Sequence, residues 1–117
     1  VHAKDVALAG RGSELFNEFV NEISAHFTSH NDVRFYADLL NVSSTYLAQV
    51  TKRIAGKAPK TIIDEYLVSE IVSMLLSSTK AVQEIAYSVG FGAQAHCAKF
   101  FKKMTGLTPS EYRRQKR

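Results

Sequence analysis

Tryptophan is absent from the 117-residue chain, and cysteine occurs once, at Cys97. A single cysteine closes no internal disulfide, so the fold has no covalent staple and a reducing, cytoplasmic setting is expected. No apolar run is long enough to cross a bilayer, no segment has the pattern of a signal peptide, and no membrane partner is expected. A glycine-rich loop of the kind that cradles nucleotide phosphates is missing, as are a convincing strand pattern and any low-complexity segment. With 45% apolar residues the chain still has enough hydrophobic mass for one domain with a real core, needing neither metal nor disulfide.

Net charge is a modest +4, but it is unevenly spread. Residues 1–32 carry a net −3 and residues 33–60 a net +4. Residues 61–79 return to −3 through Asp64, Glu65 and Glu70, and residues 80–117 rise to +6. Two basic blocks separated by an acidic one suit a polyanion, because neutralising phosphates releases condensed counterions and supplies the sequence-independent part of binding. A basic face is often only a solubilising surface, so the charge gains meaning from where it sits.

The chain also repeats itself. Ala37-Asp38-Leu39-Leu40-Asn41-Val42 aligns with Ala86-Tyr87-Ser88-Val89-Gly90-Phe91 at an offset of 49, and Lys52 to Pro59 aligns with Lys102 to Pro109 at an offset of 50. One residue is therefore inserted between the blocks. It must fall in the turn after Phe91, since Val42 to Leu47 spans five positions and Phe91 to Cys97 spans six.

Each copy reads as a short helix, a tight turn and a second helix. In the first, Ala37 is small where two helices cross, Leu40 and Val42 flank the turn, and Asn41 suits the left-handed backbone that ends a helix. Ser43 is placed to cap the next helix, whose expected inner face is Leu47, Val50 and Ile54. In the second, Ala86, Val89, Gly90 and Phe91 repeat the plan, with Cys97, Phe101 and Met104 as the expected inner face. This is a helix-turn-helix signature, a motif whose second helix enters the DNA major groove.

The remaining segments are helical too, giving an all-α fold. Leu15, Phe19, Ile23 and Phe27 recur every four residues, which predicts an amphipathic helix over 13–29. Pro59 opens a helix running to about Ser77, and Pro109 opens a short terminal one holding Tyr112, after which Arg113 to Arg117 is expected to fray. The organisation read from this is a first helix-turn-helix subdomain over 13–58, a connecting helix over 59–77 and a second subdomain over 80–114.

If Leu47, Val50 and Ile54 face inward, helical geometry turns Thr45, Ala48, Gln49 and Lys52 outward, and in the second copy Ala95, Ala98, Lys99 and Lys102, each 50 positions on. Gln49 is suited to bond two atoms of an adenine edge and Lys99 to donate to guanine, while Ala48, Ala98 and the Thr45 methyl permit close approach to thymine methyls. Ala95 shares the face, and Gln94, at the helix start, is a further base-reading candidate. Lys52, Arg53, Lys102 and Lys103 lie farther along and suit phosphates, which fix register without reading sequence. Tyr46 and His96 sit at the edges of these faces, as well placed to shield the core as to touch DNA.

Glu84-Ile85-Ala86, Gly90-Phe91, Phe101-Lys102-Lys103, Gly106 and Thr108-Pro109-Ser110-Glu111-Tyr112-Arg113 together resemble the C-terminal signature of AraC/XylS-type transcription regulators. The resemblance covers residues 14–114. It implies seven helices, with two homeodomain-like helix-turn-helix subdomains joined by a long helix. It further implies a bacterial transcription regulator that binds double-stranded DNA, mostly an activator in this family. RNA polymerase and an N-terminal sensor domain outside this chain are the further partners it implies, and the start at Val1 leaves room for the chain to be a piece of a longer protein.

Three features depart from that pattern. Ile62, Leu67 and Ile71 stand where the family usually shows tyrosine, arginine and alanine; Cys97 stands where a large apolar residue is usual; Ala81 stands where a capping serine is common. The last two are expected to cost stability in the second copy, with Phe100 filling part of the space beside Cys97.

Two other classes of function have candidate residues in the chain. An enzyme would have to draw on His2, His26, His30, His96 and Cys97. His26 and His30 are four apart with Asp32 nearby, but a closed metal site needs further ligands, so no metal, no cofactor and no catalysis are expected. His96 and Cys97 are adjacent, hence about 100° apart on a helix, and Cys97 takes a core position. A helical protein-interaction module without DNA binding would instead leave an apolar stripe exposed. Tyr66, Leu67, Val68, Ile71, Val72, Met74, Leu75 and Leu76 make the connecting helix the place to look for one.

Overall fold

The computed structural model describes residues 11–117, all of whose regular structure is α-helical. His2, among the residues considered for catalysis, lies outside them. Seven helices follow in order: α1 Gly12–His26, α2 Val33–Leu39, α3 Ser44–Ala55, α4 Pro59–Ser77, α5 Val82–Ser88, α6 Gln94–Thr105 and α7 Pro109–Lys116. The chain forms two compact units, one up to Asp64 and one from Glu65 to Arg117, with the division inside α4.

In the first unit α1 buries Leu15, Phe19 and Ile23 along one stripe, as the four-residue spacing predicts. The helix ends three residues short of the expected span. The N–H groups of Ser29 and His30 both bond back to the His26 carbonyl, at 3.0 and 2.9 Å, and turn the chain away. Asp32 then caps α2 by accepting from the Arg34 N–H at 3.0 Å. Tyr36 is fully buried, packs edge-on against Phe19 at 5.7 Å, and donates its hydroxyl proton to the His30 carbonyl at 2.7 Å. Leu40, Val42, Leu47, Val50 and Ile63 complete this core.

The second unit is built on Leu67, Ile71 and Leu75 of α4 with Ile85, Ala86, Val89, Cys97 and Phe101. Leu67 and Ile71, two of the departures from the family pattern, are core residues here. Ala81 offers no capping oxygen to α5, but Glu84 reaches back and accepts from the Ala81 N–H at 3.1 Å, so half of a capping box survives. A complete box opens α7. The Thr108 N–H donates to Glu111 Oε1 at 2.8 Å and the Glu111 N–H to Thr108 Oγ1 at 3.2 Å. The expected fraying after Tyr112 does not occur, for α7 continues to Lys116.

The two helix-turn-helix turns superimpose in sequence as the repeat requires. The Val42 N–H bonds to the Ala37 carbonyl and the Phe91 N–H to the Ala86 carbonyl, both at 3.0 Å. Asn41 and Gly90 take the left-handed backbone that closes the preceding helix, with φ of 59° and 101°. α2 and α5 end 49 positions apart, whereas α3 and α6 begin 50 apart, which locates the inserted residue in the second turn.

Candidate nucleic-acid interface

Helix α3 starts cleanly because Ser43 Oγ accepts from the Tyr46 N–H at 3.0 Å, and it stops because Gly56 adopts φ 71°. Its buried residues are Leu47, Val50 and Thr51. The expected inward position of Ile54 is corrected: its side chain is 40% exposed. Thr51 takes the inner place instead, its hydroxyl satisfied by the Ala48 carbonyl at 3.2 Å. The same correction applies to Met104, 36% exposed at the end of α6, where Cys97 and Phe101 are the buried pair. Ile54 is covered only in part, with its Cδ1 beside Gly12 at the start of α1. The repeat carried a signal for the inner place of Thr51, which aligns with Phe101 at an offset of 50.

Thr45, Gln49, Lys52 and Arg53 are exposed on α3 and Ala48 is half-buried. Gln94, Ala95, Lys99, Lys102 and Lys103 are exposed on α6 and Ala98 is half-buried. Tyr46 is half-buried and His96 exposed. Neither helix contains a carboxylate, so each presents an undiluted basic face with small residues at its centre. Lys52, Arg53, Lys102 and Lys103 all lie in the last turn, where a cation also meets the negative end of the helix dipole. Arg53 has a further role that the sequence did not announce. A Cβ added to Gly12 would fall 2.0 Å from its Nη2, so its guanidinium lies across the start of α1, and the glycine leaves room for it.

Cys97 is 1% exposed, and burial pushes its thiol up to about 11, so it is a core group and not half of a dyad with exposed His96. Phe100 is half-buried and packs on Phe91 at 5.7 Å. The His30 ring stacks on Phe35 at 3.6 Å and His26 meets the same ring edge-on at 5.2 Å, which gives both histidines an aromatic packing role. Among the described residues no group of three or more His, Cys, Asp or Glu side chains is placed to hold a metal ion. No helix among them is long and apolar enough to cross a membrane. On α4, Leu76 is 37% exposed, and Val68 and Val72, eight and four residues before it on the same face, are half-buried.

Residues 36–115 match the family model described as a helix-turn-helix domain. The chain belongs to the AraC/XylS-type helix-turn-helix family. It is 27% identical over 104 residues to the raffinose operon transcriptional regulatory protein RafR of Pediococcus pentosaceus, covering 89% of this chain and 38% of that protein. Among solved structures it is similar to the C-terminal domain of AraT, a response regulator from Geobacillus stearothermophilus, at 30% identity and a TM-score of 0.79, covering 91% and 88% of the two chains. It shares its fold with an AraC-type regulator from Chromobacterium violaceum at 21% identity and a TM-score of 0.77, with 88% and 92% covered. This AraC/XylS-type domain is accordingly a sequence-specific DNA-binding module, with double-stranded DNA as its partner. It spans well under half the length of the raffinose regulator.

Proposed function

We propose that α3 and α6 are the two base-reading helices of this domain. Thr45, Ala48 and Gln49 would address one short block of sequence, and Gln94, Ala95, Ala98 and Lys99 the other. Lys52, Arg53, Lys102 and Lys103 would hold the flanking phosphates. The observation that carries this reading is the pair of outward faces free of carboxylate, matched residue for residue at an offset of 50. Gln49 supplies both a donor and an acceptor for adenine, and Lys99 a donor for guanine N7 and O6. The division into subdomains 13–58 and 80–114 with a connecting helix over 59–77 belongs to the same reading. So does the whole protein as a bacterial transcriptional activator, with a sensor domain N-terminal to this segment and RNA polymerase as a further partner.

Two readers on one chain should select two short, unequal blocks about ten base pairs, one helical turn, apart. The test is selection from a random DNA pool by the domain and by two variants. Gln49→Ala should relax preference in one block and Lys99→Ala in the other, each by about 1–3 kcal/mol at the affected base. If both substitutions relaxed the same block, or if the selected site were a perfect palindrome needing two chains, the tandem reading would be wrong.

A further inference from the structure

Arg113 is half-buried in the second unit, and its partners are all main-chain carbonyls. Nε donates to Leu75 at 3.0 Å and Nη1 to Lys80 at 2.7 Å, while Nη2 reaches Ser78 at 3.3 Å and Met74 at 3.5 Å. Met74 and Leu75 lie in the last turn of α4, and the Met74 carbonyl also accepts from the Ser78 N–H at 3.2 Å and the Ser78 hydroxyl at 2.7 Å. A guanidinium suits this place twice over. Its planar fork serves several diverging acceptors at once, and its charge meets the negative end of the helix dipole.

The repeat gives the arrangement a meaning beyond packing. Lys80, which immediately precedes the N-cap of α5, aligns at an offset of 49 with Asn31, which immediately precedes the N-cap of α2. In the first unit the Asn31 carbonyl accepts from Lys60 Nζ at 3.0 Å. Both units therefore fasten the same loop carbonyl with a cation from the helix that follows the reading helix. In the second unit that helix is α7, whose Tyr112 packs edge-on against Phe101 at 5.4 Å. Phe101 is the fully buried residue about which α6 would roll.

We propose that Arg113 is the positioning residue of the second reading helix. It ties α7 to the end of α4 and to the loop before α5, and through the Tyr112–Phe101 contact it fixes the roll of α6 and hence the aim of Lys99. This rests on the reading of α6 as a base-reading helix. A base-edge hydrogen bond is met only when the donor reaches one base pair within a narrow range of distance and angle, whereas a phosphate contact can be made at several points along the charged backbone and tolerates a small roll.

The test compares Arg113→Lys, Arg113→Gln and Lys99→Ala in the 117-residue chain, at a temperature where circular dichroism shows each variant folded. Affinity is measured for the selected site and for sites altered at one base in either block. Arg113→Gln should lower discrimination in the α6 block by about tenfold and leave the other block unchanged, with Arg113→Lys between it and the parent because one ammonium replaces part of the fork. Should Arg113→Gln fail to fold, Arg113→Lys carries the comparison at its smaller magnitude. A merely structural arginine would lower affinity for every site by one common factor and leave both discrimination ratios intact, which would overturn the proposal. Lys99→Ala separates the two possible failures. If it flattens the α6 block and the Arg113 variants do not, the positioning role is wrong; if it has no block-specific effect, the base-reading assignment beneath it is wrong.

Discussion

In the first unit the reading helix begins on Ser43, whose hydroxyl accepts from the Tyr46 N–H; in the second it begins on Ala93, which has no side-chain cap to offer. The first intrahelical bond reflects this, at 3.0 Å from the Leu47 N–H to Ser43 and 3.4 Å from the Cys97 N–H to Ala93. The loop before α2 is held by Tyr36 and Lys60, and the loop before α5 by Arg113 together with the Ser78 hydroxyl, which accepts from the Lys80 N–H, and Glu84, which accepts from the Ala81 N–H. At the inner position late in the reading helix the first unit places Thr51 and the second Phe101, both fully buried. A shared backbone plan is thus reached with different local chemistry. The second unit lacks a side-chain cap on α6 and a large residue at Cys97, and α7 brings Tyr112 against Phe101 and Arg113 to the carbonyls at the end of α4.

The sharpest way to break that comparison is to truncate the paired inner residues. Phe101→Ala should cost about 3–5 kcal/mol, because a fully buried ring that also carries Tyr112 leaves a cavity. Thr51→Ala should cost about 1 kcal/mol, since a methyl and one hydrogen bond are lost on a helix that prefers alanine. Urea unfolding of the two variants measures both. Equal losses would mean that the second unit does not depend on its Phe101–Tyr112 contact.

The same comparison shows what the sequence made legible and where legibility stopped. The two turns, their left-handed residues and the position of the inserted residue were readable because they depend on short-range steric rules that the repeat states twice. Ile54 and Met104 misled because periodicity marks the side of a helix and not how completely its neighbours cover each residue. Arg113 closes the stretch that resembles the family signature and also opens the segment expected to fray, but its anchoring was not legible, since its partners lie 33 to 39 residues away and are backbone carbonyls. Of the proposed interface, the outward faces were readable from helical geometry, but the place of Arg53 over Gly12 was not.

Alkaline pH should separate the units by a somewhat smaller effect. Burial pushes the Cys97 thiol from 9.0 up to about 11 in the second unit, and burial with a contribution from Glu22 pushes the Tyr36 hydroxyl from 10.0 up to about 12 in the first. In each case the unfolded chain loses its proton first, so stability is intact below the unfolded pKa and falls as pH rises toward the folded value. Two pKa units correspond to about 3 kcal/mol at most, lost between pH 9 and 11 for Cys97 and between pH 10 and 12 for Tyr36. Denaturant midpoints at pH 8, 10 and 11 should fall for the parent and hold nearly level through pH 10 for Cys97→Ala. An unchanged pH profile in that variant, or rapid thiol labelling of the native parent at pH 8, would show that Cys97 is not buried as described.

The smallest expected effect is also the most direct probe of the difference between the reading helices. Ser43→Ala should destabilise by about 1 kcal/mol, because the Tyr46 N–H loses its acceptor. The reciprocal change, Ala93→Ser, should stabilise by a similar amount. Ala93 already has the extended backbone of a capping residue, with φ −152° and ψ 145°, so a hydroxyl there can meet an N–H of the first turn without moving the chain. Each kcal/mol corresponds to a shift of about 4 °C in Tm for a domain of this size, well within reach of thermal unfolding followed by circular dichroism. Opposite shifts would establish that α6 is under-capped relative to α3. A drop on Ala93→Ser would mean instead that the turn around Gly92 and Ala93 has no room for the hydroxyl, and that the longer second turn, not the missing oxygen, sets the difference between the two units.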